Sequence, residues 1–373
     1  MDPIVSFVVP CYRLAHLLPE CVNSILAQTY RDFEILIMDN CSPDNTPEVA
    51  ASFNDPRVKH IRNEVNLGHV RNFNKGITMS RGKYVWLVSP DDWLRSPNVL
   101  ARYVDLMERN PGVGYVFCRA VEVQGSKEVG VARWTNCGRK DRIWDGPSFL
   151  MRLIRGDCIV LSSAMVRKEC YDKYGLFSLE MPHANDWYLW CVLALHYQVA
   201  YLSEPMLFVR IHEMSLTSEF NQGGSPICAI DELNVLWRVA RLAELAGVIS
   251  DRRAFNTSIA SLAARALRYG PPWGKWGKRP GLSEADFEVL LRRHVRDSKD
   301  EEDCRARLYM AIGDEEFLHG QHKNAAQAYR VGLGLRPWWI RSWAKYLLLR
   351  TGGLGLYIRR FILDLRESRA EAK

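Results

Sequence analysis

Three acidic positions in this 373-residue sequence carry side chains that could do chemistry. Asp39 ends an apolar run and precedes Asn40-Cys41-Ser42-Pro43-Asp44-Asn45-Thr46. Asp91-Asp92 follow a second such run after Ser89-Pro90, and Asp186 stands before Trp187 where a helical pattern begins. Carboxylates in such places can hold a divalent cation or take a proton from a hydroxyl. Each also has an ordinary structural reading. Asp in a turn after a strand bonds its own backbone, and Asp at a helix start is a routine cap. Placement has to separate the two.

The elements that must position these residues alternate through the first half of the chain. Val5 to Val9 reads as a buried strand ending at Pro10. Leu17/Leu18, Cys21/Val22 and Ile25/Leu26 recur at helical spacing. Phe33 to Met38 is a second strand, and Thr46-Pro47 marks an N-cap and first helical position. Val58 to Ile61, Tyr84 to Val88 and Gly114 to Cys118 are further strands, with Ser96-Pro97 opening another helix. This βαβα order predicts a mostly parallel sheet with helices on both faces. Ligands of such sheets lie beyond the carboxyl ends of the strands, which is where Asp39 and Asp91 fall. A second block, from about Gly146 to Ser218, holds Ser162 to Val166, a helix around Trp187 to His196 and a strand from Met206 to Ile211. Gly223-Gly224-Ser225-Pro226 reads as a linker, after which the pattern is helical apart from a loop at residues 270–277. The expected domains are therefore residues 1–222 and 223–373.

Composition is that of a globular chain, 47% hydrophobic and 25% charged, which argues against disorder. No apolar run reaches the ~18 residues that cross a bilayer. Ile4 to Val9 is short for a signal peptide and has no basic region before it, so the cytoplasm is the expected address. The ten cysteines include no Cys-x-x-Cys and no zinc spacing, and read as small buried hydrophobes in a reducing compartment. The net charge of +7 is concentrated at one end: from Val331 onward nine basic residues face three acidic ones. That placement suggests a local anionic partner surface, with no nucleic acid as partner. No Gly-x-Gly-x-x-Gly follows the first strand and no Walker loop is present, which ranks a dehydrogenase or kinase low.

Six segments in order make the first ~220 residues resemble the inverting family 2 glycosyltransferases. They are Val8-Val9-Pro10-Cys11-Tyr12, Ile37 to Thr46, Asn66-Leu67-Gly68 with Arg71-Asn72, Gly82 to Asp92, Asn185-Asp186-Trp187, and Arg210 to Ser215. The resemblance implies an α/β GT-A fold, Rossmann-like and built for nucleotide-diphosphate sugars, followed by a mostly α-helical C-terminal domain. It implies that Asp39 accepts a hydrogen bond from the donor's base, with Pro10, Tyr12 and Arg13 beside base or ribose. Asn66, Arg71, Ser89, Pro90 and Asp92 would complete the donor site. Asp91 and His212 would hold a divalent cation, Mg²⁺ or Mn²⁺, that neutralises the departing diphosphate. Asp186 would be the catalytic base, and Met165 and Trp187 would lie near the acceptor. One departure stands out: Ser89 occupies a position where the family motif often has an acid. It leaves the donor's identity open among UDP-, dTDP- and GDP-sugars, with UDP favoured.

Tyr309, Gly313, Gly320, Ala325, Tyr329 and Pro337 are spaced like one tetratricopeptide unit, a single helix pair where a solenoid needs at least ~3. Beyond it, Arg336 to Tyr346 mixes tryptophan with basic residues, and Ile358, Phe361, Ile362 and Leu365 share a helical face flanked by Arg359, Arg360 and Arg366. This is the composition of an interfacial helix on an anionic membrane. The expected activity is sugar transfer to a glycan acceptor, lipid-linked and surface-polysaccharide-like, at the inner face of the plasma membrane. The alternative, favoured by Ser89, is a glycosyltransferase-like scaffold or binding subunit.

Overall fold

The computed structural model describes residues 2–216, 218, 220, 226–268, 281–295 and 297–350. The expected linker at 223–225, the 270–277 loop and the apolar-basic face at 358–366 lie outside these residues. The chain divides into two compact units, Met1–Ser218 and Glu219–Lys373.

The first unit is built on a sheet with ten strands among the described residues. In chain order they are β1 (Val5–Cys11), β2 (Phe33–Asp39), β3 (Val58–Arg62), β4 (Tyr84–Leu87), β5 (Trp93–Leu94), β6 (Val113–Gln124), β7 (Lys127–Val131), β8 (Arg142–Trp144), β9 (Met165–Arg167) and β10 (Gln198–Arg210). The spatial order is β3-β2-β1-β4-β9-β6-β10-β5, with β7 on β6 and β8 on β10. The four strands from β3 to β4 are parallel, whereas β9 runs antiparallel to both β4 and β6. The sheet is therefore mixed, because a short reversed strand is wedged into a βαβα alternation that alone predicts parallel order.

β1 and β2 are buried along essentially their whole length, and so read as mostly apolar runs, broken only by Ser6, Glu34 and the terminal Asp39. Helix α1 (Leu18–Leu26) turns Leu18, Cys21, Val22 and Ile25 onto them. The periodicity of the sequence does not announce α3 (His69–Met79), because two of its buried positions are Asn72 and Gly76. Gly76 is required there: a Cβ would stand 2.4 Å from Cγ1 of Val8. The core centres on stacked rings, Phe7 against Trp86 at 5.4 Å and Trp86 against Tyr103 at 4.3 Å. Truncating Trp86 to alanine would cost about 3–5 kcal/mol.

Pro10 shows how the sheet opens into a crevice. The carbonyl of Val8 accepts from Val88 on the β4 side, while that of Cys11 accepts from Asn40 on the β2 side. The backbone of Pro10 thus faces β4, beyond the last β1–β4 pair, Val8 with Leu87. A residue with no N–H sits where the ladder has already parted.

The second unit is helical: α8 (Ile227–Leu245), α9 (Arg253–Arg268), α10 (Glu284–His294), α11 (Ser298–Leu318), α12 (His322–Leu335) and α13 (Ile340–Arg350). Ser283 and Asp286 cap α10 reciprocally. Helices α11 and α12 form a tight pair. Gly313 makes room for the Tyr329 ring, whose carbons lie 2.6 Å from where a Cβ would stand, and Tyr329 donates to Asp314. Gly320, at φ 77°, turns the chain between them.

Candidate functional site

Asp39 ends β2 in register with Cys11 of β1 and Arg62 of β3. Its carboxylate is wholly buried. Oδ1 accepts from the Ser42 amide at 2.7 Å, and Oδ2 accepts from Arg62 Nη1 at 2.6 Å and meets His60 Nε2 at 3.1 Å. Arg62 also donates to the Ser42 carbonyl at 3.1 Å. A buried carboxylate is tolerated because it is matched by a guanidinium and further donors.

Two left-handed residues shape this corner, Arg13 at φ 59° and Cys41 at φ 57°. Such backbone is strained for side chains larger than glycine, and clusters where a site is built. Hydrogen bonds hold it: Arg13 N donates to Ser42 Oγ at 2.7 Å and Ala15 N to Asp44 Oδ2 at 3.0 Å. Burial acts to raise the Asp44 carboxyl, but the Ser42 and Thr46 hydroxyls and two amides outweigh it and hold it below the ordinary range. Tyr12 and Arg13 flank the crevice, the guanidinium 5.1 Å from the ring. Asn66 is exposed, but its Oδ1 takes Asn40 Nδ2 and the Gly68 amide, both at 2.8 Å. An amide relay through Asn40, Asn63 and Asn72 ties the ends of β2 and β3 to α3. Arg71 is exposed on the first turn of α3.

After β4 the chain turns through Ser89-Pro90-Asp91-Asp92, closed by Asp92 N to Ser89 O at 3.0 Å. Ser89 N donates to Ser162 Oγ at 3.0 Å, and Pro90 is buried. Asp92 is buried too, and accepts from Arg210 N at 3.3 Å. Burial, then the neighbouring Asp91 charge, pushes its carboxyl well up. Asp91 is largely buried, and its Oδ2 lies 2.9 Å from His212 Nε2. An octahedral ion with bonds of about 2.1 Å sets adjacent ligand atoms about 3.0 Å apart. A carboxylate oxygen and an imidazole nitrogen at this spacing fit a divalent cation that takes its remaining ligands from a diphosphate and water. Among the described residues no cluster of three such protein ligands occurs.

Asp186 lies in the first turn of α7 (Asn185–Ala194), and its Oδ1 accepts from the Trp187 amide at 2.8 Å. The loop before it abuts α3, with His69 Nε2 3.0 Å from the Pro182 carbonyl. Since α3 starts at the carboxyl end of β3, Asp186 shares that edge of the sheet. Burial raises the Asp186 carboxyl, partly offset by the Trp187 amide and by His183. Asp157 feels its charge. Its own carboxyl is pushed well up, by burial first and the Asp186 charge second.

The two expected acceptor side chains are not presented to this edge. Met165 is fully buried in β9, in register with Trp86 and Val116. Trp187 is buried as well, its indole N–H donating to the Leu153 carbonyl at 3.0 Å. The reason is that α7 is apolar around nearly its whole circumference and packs on all sides. His60, Arg62, Ser162 and Asp157 are additions that sequence reasoning did not supply. For His60 and Arg62 a signal exists: they alternate on one face of β3, as Ile37 and Asp39 do on β2. Nothing along the chain marks Asp157. A hollow of about 450 Å³ lies at the opposite end of the strands, lined by Arg81, Lys83, Arg167 and Lys168 among others. Those cations are committed to partners within the fold.

Residues 6–175 match the sequence model of Glycosyl transferase family 2. The glycosyltransferase GlyG of Streptococcus pneumoniae is 34% identical over 115 residues, 30% of this chain and 38% of its own length. WcaA of Escherichia coli, a putative colanic acid biosynthesis glycosyl transferase, is 25% identical over 58% of this chain and 76% of its own. The crystal structure of S. aureus TarS 1-349 superposes with a TM-score of 0.58 at 17% identity, covering 89% of this chain and 90% of that one. TarS in complex with UDP-GlcNAc superposes equally well, at a TM-score of 0.58. Residues 6–175 thus match a family 2 glycosyl transferase domain, and the mixed sheet has the GT-A fold, with a helical region after it.

Proposed function

We propose that the chain transfers a sugar from a nucleoside diphosphate donor to a hydroxyl of a glycan acceptor, with inversion at the anomeric carbon. The observation that carries this reading is the Asp91–His212 pair, with Asp39 at the carboxyl end of β2 and Asp186 in the first turn of α7. Asp39, held by Arg62 and His60, accepts from an N–H of the base, with Pro10, Tyr12, Arg13 and Asn66 around base and ribose. Ser89, Pro90 and Asp92 shape the turn under the diphosphate, and Arg71 lies at its open side. A UDP-sugar is the favoured donor, with dTDP- and GDP-sugars as the other candidates. The UDP-GlcNAc seen in TarS supports that choice.

Asp186 acts as base. Its place in the first turn of α7 favours the ionised form, while burial keeps the carboxylate basic enough to accept a proton. As the acceptor oxygen attacks the anomeric carbon, Asp186 takes its proton and the bond to the diphosphate breaks on the opposite face. Asp91 and His212 would hold Mg²⁺ or Mn²⁺, which supplies positive charge to the leaving diphosphate.

A lipid-linked acceptor in surface polysaccharide synthesis, at the inner face of the plasma membrane, is the setting we infer. Similarity to WcaA supports the pathway type. An exposed row in the helical unit, Trp338, Ile340, Trp343 and Leu347, supports peripheral membrane contact. Arg336 and Lys345 subtract from it, since they are engaged by Glu302 and Asp314. No described helix is long and apolar enough to cross a membrane.

The test is a screen of UDP-, GDP- and dTDP-sugars with Mn²⁺, Mg²⁺ or EDTA, reading released nucleoside diphosphate with and without a lipid-linked glycan. Metal-dependent release from one donor is expected. Tight donor binding with no release under any condition would favour the scaffold reading instead.

A further inference from the structure

We propose that Cys137 and Cys158 form a reversible dithiol–disulfide site in the catalytic unit. Their Sγ atoms lie 3.6 Å apart, 21 positions apart in the chain. Among the described residues this is the one thiol–thiol contact. Other cysteines meet hydroxyls or carbonyls instead, as Cys11 does Thr46, Cys21 does Ser89 and Cys170 does Gly114. A disulfide needs the sulfurs at about 2.05 Å, so a closure of about 1.5 Å is required. Each cysteine adjoins a glycine hinge or lies two residues from one, Gly138 at φ 140° and Gly156 at φ 147°. The Cys137 turn is pinned on β10, since Tyr201 Oη accepts from Cys137 N at 3.2 Å and donates to the Gly138 carbonyl at 3.0 Å.

The positive charge around the pair favours Cys137 as the attacking sulfur. Burial raises the thiols of Cys21, Cys118, Cys170, Cys191 and Cys304. Cys137 goes the other way: the hydrogen bond with Cys158 outweighs burial, and Arg152 and Arg119 add positive charge. Arg152 Nη2 also donates to the Asn136 carbonyl at 2.7 Å, which keeps the guanidinium beside the pair. The oxidant is a peroxide, small enough to reach two nearly buried sulfurs. The Cys137 thiolate attacks one peroxide oxygen, the O–O bond breaks, and a sulfenic acid and one water result. Cys158 then loses its proton and attacks the Cys137 sulfur, and the expelled hydroxide leaves as a second water. Two thiols and one peroxide thus give one disulfide and two waters, and a dithiol reductant reverses the change.

The crosslink would fasten residues 136–138 to the segment carrying Asp157, whose carboxyl feels the Asp186 charge. This consequence for turnover rests on the function proposed above, whereas the disulfide itself does not.

The experiment treats the full chain with hydrogen peroxide, alkylates remaining thiols under denaturing conditions and maps peptides without reduction by mass spectrometry. The expected result is a Cys137–Cys158 crosslink as the dominant product, lost on adding dithiothreitol, with the other cysteines alkylated. In Cys158→Ser the Cys137 sulfenic acid becomes trappable with dimedone, and in Arg152→Ala crosslinking slows several-fold. Free Cys137 and Cys158 in a sample whose Cys41 is already oxidised would overturn the proposal, as would crosslinks spread evenly over the cysteines. Transfer should differ at least threefold between oxidised and reduced chain. A correctly mapped disulfide with unchanged transfer overturns the coupling to Asp186. Absence of transfer in both forms counts against the proposed function and leaves the mapped disulfide standing.

Discussion

His212 Nε2 lies 2.9 Å from Asp91 Oδ2, although 121 positions separate the two residues. One comes from the turn after β4, the other from just beyond β10. If they share a divalent cation, Asp91→Asn and His212→Ala should each lower kcat by about 10²–10³, the scale of a lost electrostatic contact to a leaving group. They should also raise the Mn²⁺ concentration needed for half-maximal rate. A metal titration of donor turnover checks this, and an unchanged half-maximal concentration would remove His212 from the metal site.

Asp186→Asn should lower turnover by about 10²–10⁴, as loss of a general base does. Asp157→Asn should behave differently. Burial raises both carboxyls, and the Asp186 charge adds to the rise at Asp157; with Asp186 as the proposed base, Asp157 would carry the proton the two share. An asparagine resembles that protonated form, and turnover should stay within about threefold of the parent. Steady-state kinetics on the two variants separates the roles, and equal losses would contradict them.

The pH profile follows from the same shift. The folded Asp186 carboxyl is raised above the ordinary value of about 3.9, and the base works only when ionised. Activity should therefore be present at neutral pH and fall as pH drops through the raised value. The acid limb of kcat/KM lies above that of an exposed aspartate. A limb at about 3.9 would show that burial does not tune this group.

Arg62→Ala strips the guanidinium from Asp39 and leaves His60 and the Ser42 amide. Binding of the donor nucleotide should weaken by about tenfold or more, one charge-assisted hydrogen bond's worth. Calorimetry with UDP reads this directly, and unchanged affinity would mean that Arg62 does not shape the base seat.

Glu34 gives a stability prediction away from the chemistry. It is the second residue of β2, at the amino end of the sheet, bonded to Ser6, Lys59 and Arg81. Burial opposes its charge, but these partners hold its carboxyl down to about 2 from an ordinary 4.5. The stabilisation is thus complete above the unfolded value and drains away as pH falls from 4.5 toward about 2. Glu34→Gln should cost roughly 1–3 kcal/mol at neutral pH and flatten the acid side of the stability curve. Urea titrations between pH 7 and pH 3 check both.

Much of this was legible in the chain, and the exceptions have physical causes. Strands such as Phe33–Asp39 are buried and apolar but for Glu34 and the closing Asp39, so their ends, and Asp39 itself, could be located. β6 and β10 extend well past the predicted Gly114–Cys118 and Met206–Ile211, because their flanking residues alternate or bend around Pro205 instead of forming one run. Met165 and Trp187 were placed near an acceptor by resemblance, while their burial depends on neighbours brought in by β4, β6 and α5 (Gly146–Leu153). Arg62 pairs with Asp39 through strand register, which only the assembled sheet fixes.

The irregular pairing of β10 with β6 sets a rule about spacing. Its register shifts fall between Gln198 and Val199 and on both sides of Pro205. Every one-residue slip in a strand turns each following side chain to the other face. The bulges therefore act as a ruler between α7, where Asp186 sits, and the stretch that delivers Arg210 to Asp92 and His212 to Asp91. Loops at the surface tolerate gained or lost residues, but in residues 198–210 a change of one would swing the histidine away from its carboxylate while leaving most of the sheet able to form. Length in this strand, more than the identity of most of its residues, is what the meeting of His212 with Asp91 depends on.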